Sequence, residues 1–392
     1  MYPTLTDLLR GLFGIHLPLP VMTFGFAVFF AFLGGYWAFS SELKRKEKAG
    51  LVLTTTVSQT IGRKPQPLDL LLNGFLGFLL GFKLPYIVVN YTHFSADPPS
   101  FLFNREGNLL TGLIGAVLLA TWTWYEKNKV SLAVPKVVEE KIYPHELLGT
   151  TVMIAAGAGI VGAKIFDNLE NWDRFISDPI GNLFSGSGLT FYGGFIFGAI
   201  AVLVYMNKYG VKPLIMLDVG AAGMMLAYAI GRVGCQIAGD GDWGIVNTAP
   251  KPSWLSWAPD WVWAYNYPNN VGDEGVPIPG CIGLHCHVLN PPVFPTPLYE
   301  IIVCLVLFGV LWAIRKRIKV NGALFCVYLV LNGIERFFIE LIRVNTRYHI
   351  GKLAFSQAEL ISVLLFLTGC IGYFYLNQRA KMQAVKPEIQ PV

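Results

Sequence analysis

The sequence predicts an all-α polytopic membrane protein of about nine transmembrane helices, with the N-terminus outside and the C-terminus inside. Three observations carry that prediction. Only 14% of residues are charged against 54% hydrophobic, well below the about 25% charged that soluble domains carry. Nine apolar stretches are each long enough to cross a bilayer, at roughly 21–39, 68–91, 108–125, 147–166, 189–206, 213–231, 297–314, 322–342 and 355–376. With the N-terminus outside, the inner loops and tail hold nineteen of the thirty Lys and Arg, and the outer segments seven. This is the positive-inside bias, so the net charge of +5 is topogenic and does not mark a nucleic-acid surface.

In chain order, residues 1–20 form an outer N-terminal segment, and 21–146 a first helix followed by a helix pair and cytoplasmic loops. Residues 147–376 form the main transmembrane core with an outer loop at 235–296, and 377–392 a cytoplasmic tail. The first apolar run ends at Lys44-Arg-Lys instead of a small-residue cleavage site, so it is expected to stay in the membrane. Phe24-Gly25 near its outer end allows close helix contact. The second and third stretches carry few polar groups, Lys83 excepted, and read as peripheral. The segment 130–146, with Pro135 and Pro144, reads as a linker. Ala155, Gly159 and Ala163 recur every four residues in the fourth stretch, and Gly193, Gly194 and Gly198 follow Tyr192 in the fifth. Small residues at such spacing let membrane helices pack backbone to backbone.

The sixth stretch carries Asp218, Tyr228 and Arg232 roughly on one face, because fourteen residues at about 100° each return to within about 40°. Such a stripe faces protein or a water-filled cavity. Arg232 falls near a membrane boundary and is followed by a Gly- and Asp-rich run to Gly244, which lets backbone approach a ligand closely. The plainer alternative is an arginine snorkelling to headgroups before an ordinary turn. In the eighth stretch Asn332, Glu335, Arg336, Glu340 and Arg343 share one broad helical face. A charge at the bilayer centre costs at least about 2.5–3.5 kcal/mol on insertion scales; the plainer alternative here is an Arg336–Glu340 ion pair that locks helices.

The outer loop holds Trp243, Trp254, Trp257, Trp261, Trp263, Tyr265 and Tyr267, a composition suited to the membrane interface. Cys281 and Cys286 also lie in it and invite a disulfide. Disulfide or free thiols are favoured over a metal site, since the ligands between Cys281 and His287 are crowded and no second cluster completes a tetrahedral set.

Topology brings these features to one depth. Arg232, the Glu335–Arg343 stripe, Tyr192 and Lys164 all fall at outer ends of their helices. Converging cations at headgroup depth suit an anionic head, which guanidinium groups bind in bidentate fashion. A phospholipid is the expected ligand.

Four motifs resemble the prolipoprotein diacylglyceryl transferase family: Gly188-Leu-Thr-Phe-Tyr-Gly-Gly194, Gly231-Arg-Val-Gly234 with its Gly/Asp run, Phe294-Pro-Thr-Pro-Leu-Tyr-Glu300, and Arg336-Phe-Phe-Ile-Glu340 followed by Arg343. The resemblance covers about residues 20–40 and 147–375, with the helix pair as an insertion relative to a seven-helix core. It implies transfer of the diacylglyceryl group of phosphatidylglycerol to the lipobox cysteine thiol of a prolipoprotein signal peptide, forming a thioether and releasing glycerol phosphate. It also implies the bacterial inner membrane, with the active site toward the outer leaflet. By similarity Arg232 and Arg336 handle the phosphoglycerol part, with Glu340 the acidic partner. Lys164 keeps the charge where the family more often carries arginine. Gly193, Gly194, Gly234, Tyr299, Glu300 and Arg343 are the further candidates for substrate binding.

The chain departs from the family pattern at four points. The family's His-Gly-Gly reads Tyr192-Gly193-Gly194, the asparagine after Gly-Arg-x-Gly reads Cys235, and the first-helix tyrosine reads Phe24. The family's glutamate beyond the arginine reads Asp240 or Asp242, because the run is one residue longer. A thiol of ordinary pKa about 8.5 must be deprotonated to attack, for which Tyr192, Asp240, Asp242 and Glu340 are the candidates. Preorganised arginines would hold the phosphate as its charge develops. The reading calls for no metal and no cofactor. An alternative from another class is a non-enzymatic carrier of anionic phospholipid, although the sequence lacks the paired interrupted helices usual in transporters.

Overall fold

The computed structural model describes residues 1–15, 17, 19, 21–91, 94, 106–132, 134–184, 190–345, 347–350 and 353–385. Gly188 and Leu189 of the first motif, and the loop cations Arg105, Lys352 and Lys386, lie outside the described residues. In chain order the elements are α1 (Leu5–Phe13), α2 (Thr23–Lys48), β1 (Thr55–Ile61), α3 (Pro67–Val89), α4 (Leu109–Lys129) and β2 (Lys136–Ile142). Then come α5 (Leu148–Glu170), α6 (Trp172–Ser177), α7 (Pro179–Phe184), α8 (Phe191–Lys208) and α9 (Pro213–Ala238). The chain ends with β3 (Val276–Pro277), β4 (His287–Val288), α10 (Thr296–Ile314), α11 (Ala323–Glu340), β5 (Arg347–Ile350), β6 (Leu353–Ser356) and α12 (Gln357–Val385).

Each of the nine apolar stretches coincides with one of these helices. Seven are long and apolar enough to cross a membrane; α8 is shorter, and α11 carries Glu335, Arg336 and Glu340. The chain is therefore an α-helical, multi-pass membrane protein. Three small antiparallel ladders, β1–β2, β3–β4 and β5–β6, add to the helical expectation. The chain divides into two compact units, Met1–Lys48 with Lys212–Val392, and Ala49–Val211.

In the first unit α9 packs on α2, α10 and α11, and α11 packs on α12. Gly220, Ala221, Ala222, Gly223 and Ala229 are small, buried residues of α9, and the first four run round the helix at about 100° each, so neighbouring helices can approach it from several sides. A Cβ on Gly223 would meet the Phe39 ring at 2.4 Å, so a larger residue there would push α2 away. The expected close contact at Gly25 is absent, for that position is open; Gly35 makes the contact instead, with its Cβ position 3.8 Å from the Gly223 carbonyl. Ala221, Ala222, Met225 and Ala229 join Cys304, Leu311 and Leu324 in one core cluster.

At the start of α9, buried Asp218 accepts the Gly322 N–H at 2.8 Å and the Phe325 N–H at 3.0 Å. It thereby caps α11, whose first turn leaves N–H groups without helical partners. Lys46 lies 3.8 Å from the same carboxylate. Beside it Glu42 pairs with Arg45 at 2.5 Å and Arg315 at 3.0 Å, and Arg315 lies 3.2 Å above the Trp312 ring.

The loop after α9 folds around a core of its own. Trp243, Tyr267, Leu289 and Val293 form its core, while Trp254 and Trp257 remain exposed. Gly244 donates to Phe294 O at 2.8 Å and Ile245 to Ile342 O at 2.8 Å, which stitches the loop to the ends of α10 and α11. Only glycine fits at 244, where a Cβ would lie 2.5 Å from Ile342 O. Cys281 and Cys286 are disulfide-bonded, and Asp273 faces His285 at 3.0 Å and His287 at 3.4 Å.

In the second unit α3 and α4 form a hairpin packed through Gly77 and Gly115, each with its Cβ position against the other's carbonyl. Their outer faces expose leucine, valine and phenylalanine almost throughout, as a lipid-facing pair would. The segment read as a linker contains β2, which pairs with β1 from Thr55↔Ile142 to Ile61↔Lys136. Helices α5 and α8 meet through the expected small residues: a Cβ on Gly162 would lie 2.4 Å from Gly193 O, and one on Gly198 3.2 Å from Ala155 O.

Candidate active site

Arg232 is not at a helix end followed by a turn. Helix α9 continues through Cys235 to Ala238 and stops at Gly239, whose φ of 67° needs no Cβ. The guanidinium therefore projects from the last two turns toward α10 and α11. There it meets Glu300, one turn into α10 and completely buried.

Glu300 is the centre of an ionic cluster. The Tyr228 hydroxyl donates to its Oε2, Arg232 Nε lies 2.8 Å from Oε2, Arg336 Nη1 lies 3.8 Å from Oε2, and Arg343 Nη1 lies 3.9 Å from Oε1. Asp242 bridges two arginines, Arg232 through Oδ2 and Arg343 through Oδ1. It is held there by the loop stitching and by Thr296, whose hydroxyl donates to Asp242 O at 2.7 Å. Glu340 faces Arg336 Nη2 at 3.2 Å, while its Oε1 accepts from the Ser356 hydroxyl at 2.6 Å and from the Asn345 amide.

The hydrogen bonding of this cluster is incomplete. Among the described residues, Arg232 Nε, Arg336 Nη1 and Arg343 Nη1 are buried without a hydrogen bond, although each lies near a carboxylate. So are Glu300 Oε1, Glu340 Oε2 and both oxygens of Glu335. Buried polar groups are normally satisfied, and a guanidinium has five N–H donors in a fixed fork. Arg232 Nε is held against Glu300 at 2.8 Å, whereas Arg336 Nη1 and Arg343 Nη1 stand 3.8 and 3.9 Å from it and each leave a buried donor unused. Arg343, beyond the end of α11, is drawn below the ordinary guanidinium pKa by burial and then by the Arg232 charge.

Six expected site residues, Arg232, Asp242, Glu300, Arg336, Glu340 and Arg343, are thus brought together. Asp240 stands at the edge, its Oδ1 accepting the Asp242 N–H at 3.4 Å. Cys235 lies 3.6 Å from Arg232 Nη1, and its sulfur lies within 4.8 Å of Asp240 and Asp242 oxygens. Two guanidiniums already occupy Asp242, which makes this group ill suited to a cation. Tyr299 faces elsewhere, its hydroxyl donating to Val262 O at 2.9 Å and tying the loop to α10. Gly234 is explained by packing, since its Cβ would meet Ala27 Cβ at 2.8 Å. Lys164, Tyr192, Gly193 and Gly194 belong to the second unit. In that unit Lys164 shares a buried stripe of α5 with Asp167 and Asn168, and Tyr192 is exposed at the start of α8. Tyr228, Asn345 and Ser356 join the cluster without having been assigned a role; Tyr228 was visible as part of the α9 stripe, whereas the other two carried no signal.

Fold and cluster define the class: a multi-pass α-helical membrane protein with an arginine–carboxylate centre buried in its bundle. A family model described as prolipoprotein diacylglyceryl transferase matches residues 110–375. The match begins upstream of residue 147 and takes in α4. A phosphatidylglycerol–prolipoprotein diacylglyceryl transferase of Leptospira interrogans is 27% identical over 327 residues, covering 71% of this chain and 92% of the relative. The proteins of that name from Clostridioides difficile and Finegoldia magna are 31% identical over 231 residues and 32% over 232, each covering 58% of this chain and 78% and 77% of the relative. The chain belongs to the prolipoprotein diacylglyceryl transferase family.

Proposed function

We propose that the chain transfers the diacylglyceryl group of phosphatidylglycerol to the lipobox cysteine thiol of prolipoproteins, forming a thioether and releasing glycerol phosphate. The observation that carries the assignment to this site is the set of three arginines around Glu300, two of which, Arg336 and Arg343, each have a buried nitrogen lacking a hydrogen bond. A phosphodiester supplies the acceptors those nitrogens lack, and charge-assisted bonds of this kind are the strong ones. As the glyceryl C–O bond breaks, negative charge grows on the phosphate, and fixed guanidiniums stabilise it without reorganising. Arg232, Arg336 and Arg343 hold the phosphate; Glu300, Asp242 and Glu340 fix their forks. Lys164, Gly193 and Gly194 as substrate-binding residues, and Tyr192 as a catalytic one, rest on the family motifs alone. The site opens toward the outer leaflet of the bacterial inner membrane, where signal peptides with a lipobox arrive. Membership in a transferase family favours this reading over a passive lipid carrier.

The test is to incubate the purified full chain with labelled phosphatidylglycerol and a cysteine peptide of lipobox type. The peptide should gain the mass of one diacylglyceryl group, and a serine peptide should gain nothing. Lipid that binds while the cysteine peptide stays unmodified would overturn the proposal.

A further inference from the structure

Among the described residues, Glu335 is the one carboxylate in this region for which neither oxygen has a hydrogen-bond partner, and it is only 4% exposed. Asp242, Glu300 and Glu340 each accept at least one bond or pair closely with an arginine. The groups within electrostatic reach of Glu335 are Arg232 and Tyr228 from α9, Glu300 and Cys304 from α10, and Arg336 and Tyr328 from α11 itself. Helix α12 meets α11 at Gly333 through Ser362 and Phe366, neither of them ionisable.

Charge counting gives this residue a task. Arg232, Arg336 and Arg343 face Asp242, Glu300, Glu340 and Glu335, so carboxylates already outnumber guanidiniums before an anionic lipid enters. Asp240 at the edge makes the excess larger. Like charges at such range oppose one another's ionisation, and an unpaired ionised group inside a membrane protein is expensive. Binding a phosphodiester here is therefore favoured if one carboxylate takes up a proton, and the unpartnered one is free to do so.

Resting on the transferase reading, we infer that Glu335 is the proton carrier of the transfer reaction. It holds a proton while phosphatidylglycerol is bound. As the thiol sulfur bonds to the glyceryl carbon, the C–O bond breaks and its electron pair stays on the phosphate oxygen. One Glu335 oxygen gives its proton to that phosphate oxygen, and the other receives the proton of the thiol. Glycerol phosphate leaves as its monoanion, and Glu335 ends protonated as it began. Two unpartnered oxygens on one carboxyl suit this exchange, and Glu335 supplies the acid/base group that the changes at Tyr192 and Cys235 leave open.

The experiment uses the full chain in nanodiscs of zwitterionic lipid, titrated with phosphatidylglycerol between pH 5.5 and pH 9 and then assayed with the lipobox-type cysteine peptide. Wild-type affinity should weaken as pH rises, approaching about tenfold per pH unit where one proton is taken up on binding. Glu335→Gln, a neutral isostere, should bind at least as well as wild type with little pH dependence. Its kcat should fall by about 100-fold or more, the range of general acid–base catalysis, and Glu335→Asp should recover part of it. A Glu335→Gln protein with wild-type kcat would overturn the inference. So would a pH slope of affinity that survives the substitution, or a wild-type affinity that does not change with pH. The binding measurements stand apart from catalysis: a wild-type chain that binds lipid with the expected slope but modifies no peptide would refute the transferase reading and leave proton-linked binding supported. A wild-type chain that binds no phosphatidylglycerol would refute both.

Discussion

Replacing Arg336 separates its two jobs. Its Nη2 lies 3.2 Å from Glu340 Oε2, while its Nη1 lies 3.8 Å from Glu300 Oε2 and has no hydrogen bond. Breaking a buried pair by removing one partner costs about 3–5 kcal/mol. Glu340 keeps its bonds from Ser356 and Asn345, and Glu300 keeps Tyr228 and Arg232, so Arg336→Gln should fall near the low end, about 3 kcal/mol. Adding Glu340→Gln removes the orphaned charge and should return much of that loss. Transfer behaves differently, because a donor that meets the developing charge is worth about 10²–10³ in kcat. The double variant should therefore be close to wild type in thermal unfolding in detergent and in membrane abundance, yet at least about 100-fold slower in peptide lipidation. A stable double variant with full activity would take Arg336 out of the phosphate site.

Three further outcomes follow from other parts of the chain. Cys281 and Cys286 should resist alkylation until reduced, and replacing both by serine should cost about 2 kcal/mol, the chain-entropy value for so short a loop; thiols that alkylate without reduction would contradict the bond. Asp273 is held below the ordinary carboxylate pKa, burial pulling it upward but hydrogen bonds and charge from His285 and His287 outweighing that. Its contribution to loop stability is thus complete above about pH 4 and lost as pH falls through the lowered value; amide exchange over 269–289 should quicken in acid in wild type, and Asp273→Asn should remove that acid limb. Labelling at Lys251 should report the outer side, and at Asn128 and Arg379 the inner side; an inner readout at Lys251 would turn the proposed site to the wrong leaflet.

The helices were legible because a membrane span must be contiguous and apolar, so Pro213–Ala238 or Thr296–Ile314 announces itself without tertiary context. Arg232 and Arg336 were legible for the complementary reason, as charges in runs where charge is costly. The end of α9 was not. Gly231 and Gly234 resemble the start of a loop, yet Gly234 is there to let Ala27 approach, and the helix runs on. The β1–β2 ladder was missed because Pro135 and the charges of Lys136–Ile142 suggested a linker, although Thr55–Ile61 is rich in β-branched residues. The contact of Asp242 with Arg343 spans 101 positions and depends on the Gly244 crossing, which no local pattern encodes. Lys46 was counted as a topogenic charge, yet it is buried near Asp218.

Asp218 supplies the contrast that tests why one end of α9 is read as a site and the other as structure. It lies fourteen residues before Arg232, about 21 Å along the helix at 1.5 Å per residue. Both ends bury carboxylates next to cations. At the Asp218 end, however, each oxygen of Asp218 accepts a backbone N–H of α11, and both oxygens of Glu42 accept from Arg45. At the Arg232 end, Glu300, Glu340 and Glu335 all keep an oxygen without a hydrogen bond. Arg315 Nε, 3.0 Å from Glu42, also lacks a hydrogen bond, so the two ends differ in the satisfaction of their carboxylates and not of their cations. Asp218→Asn should therefore lose one of two charge-assisted caps and weaken the other, costing about 2 kcal/mol, while kcat per folded molecule stays within about twofold of wild type. Thermal unfolding read beside peptide lipidation decides it: an Asp218→Asn protein of wild-type stability that no longer transfers lipid would show that satisfied bonds do not mark the structural end.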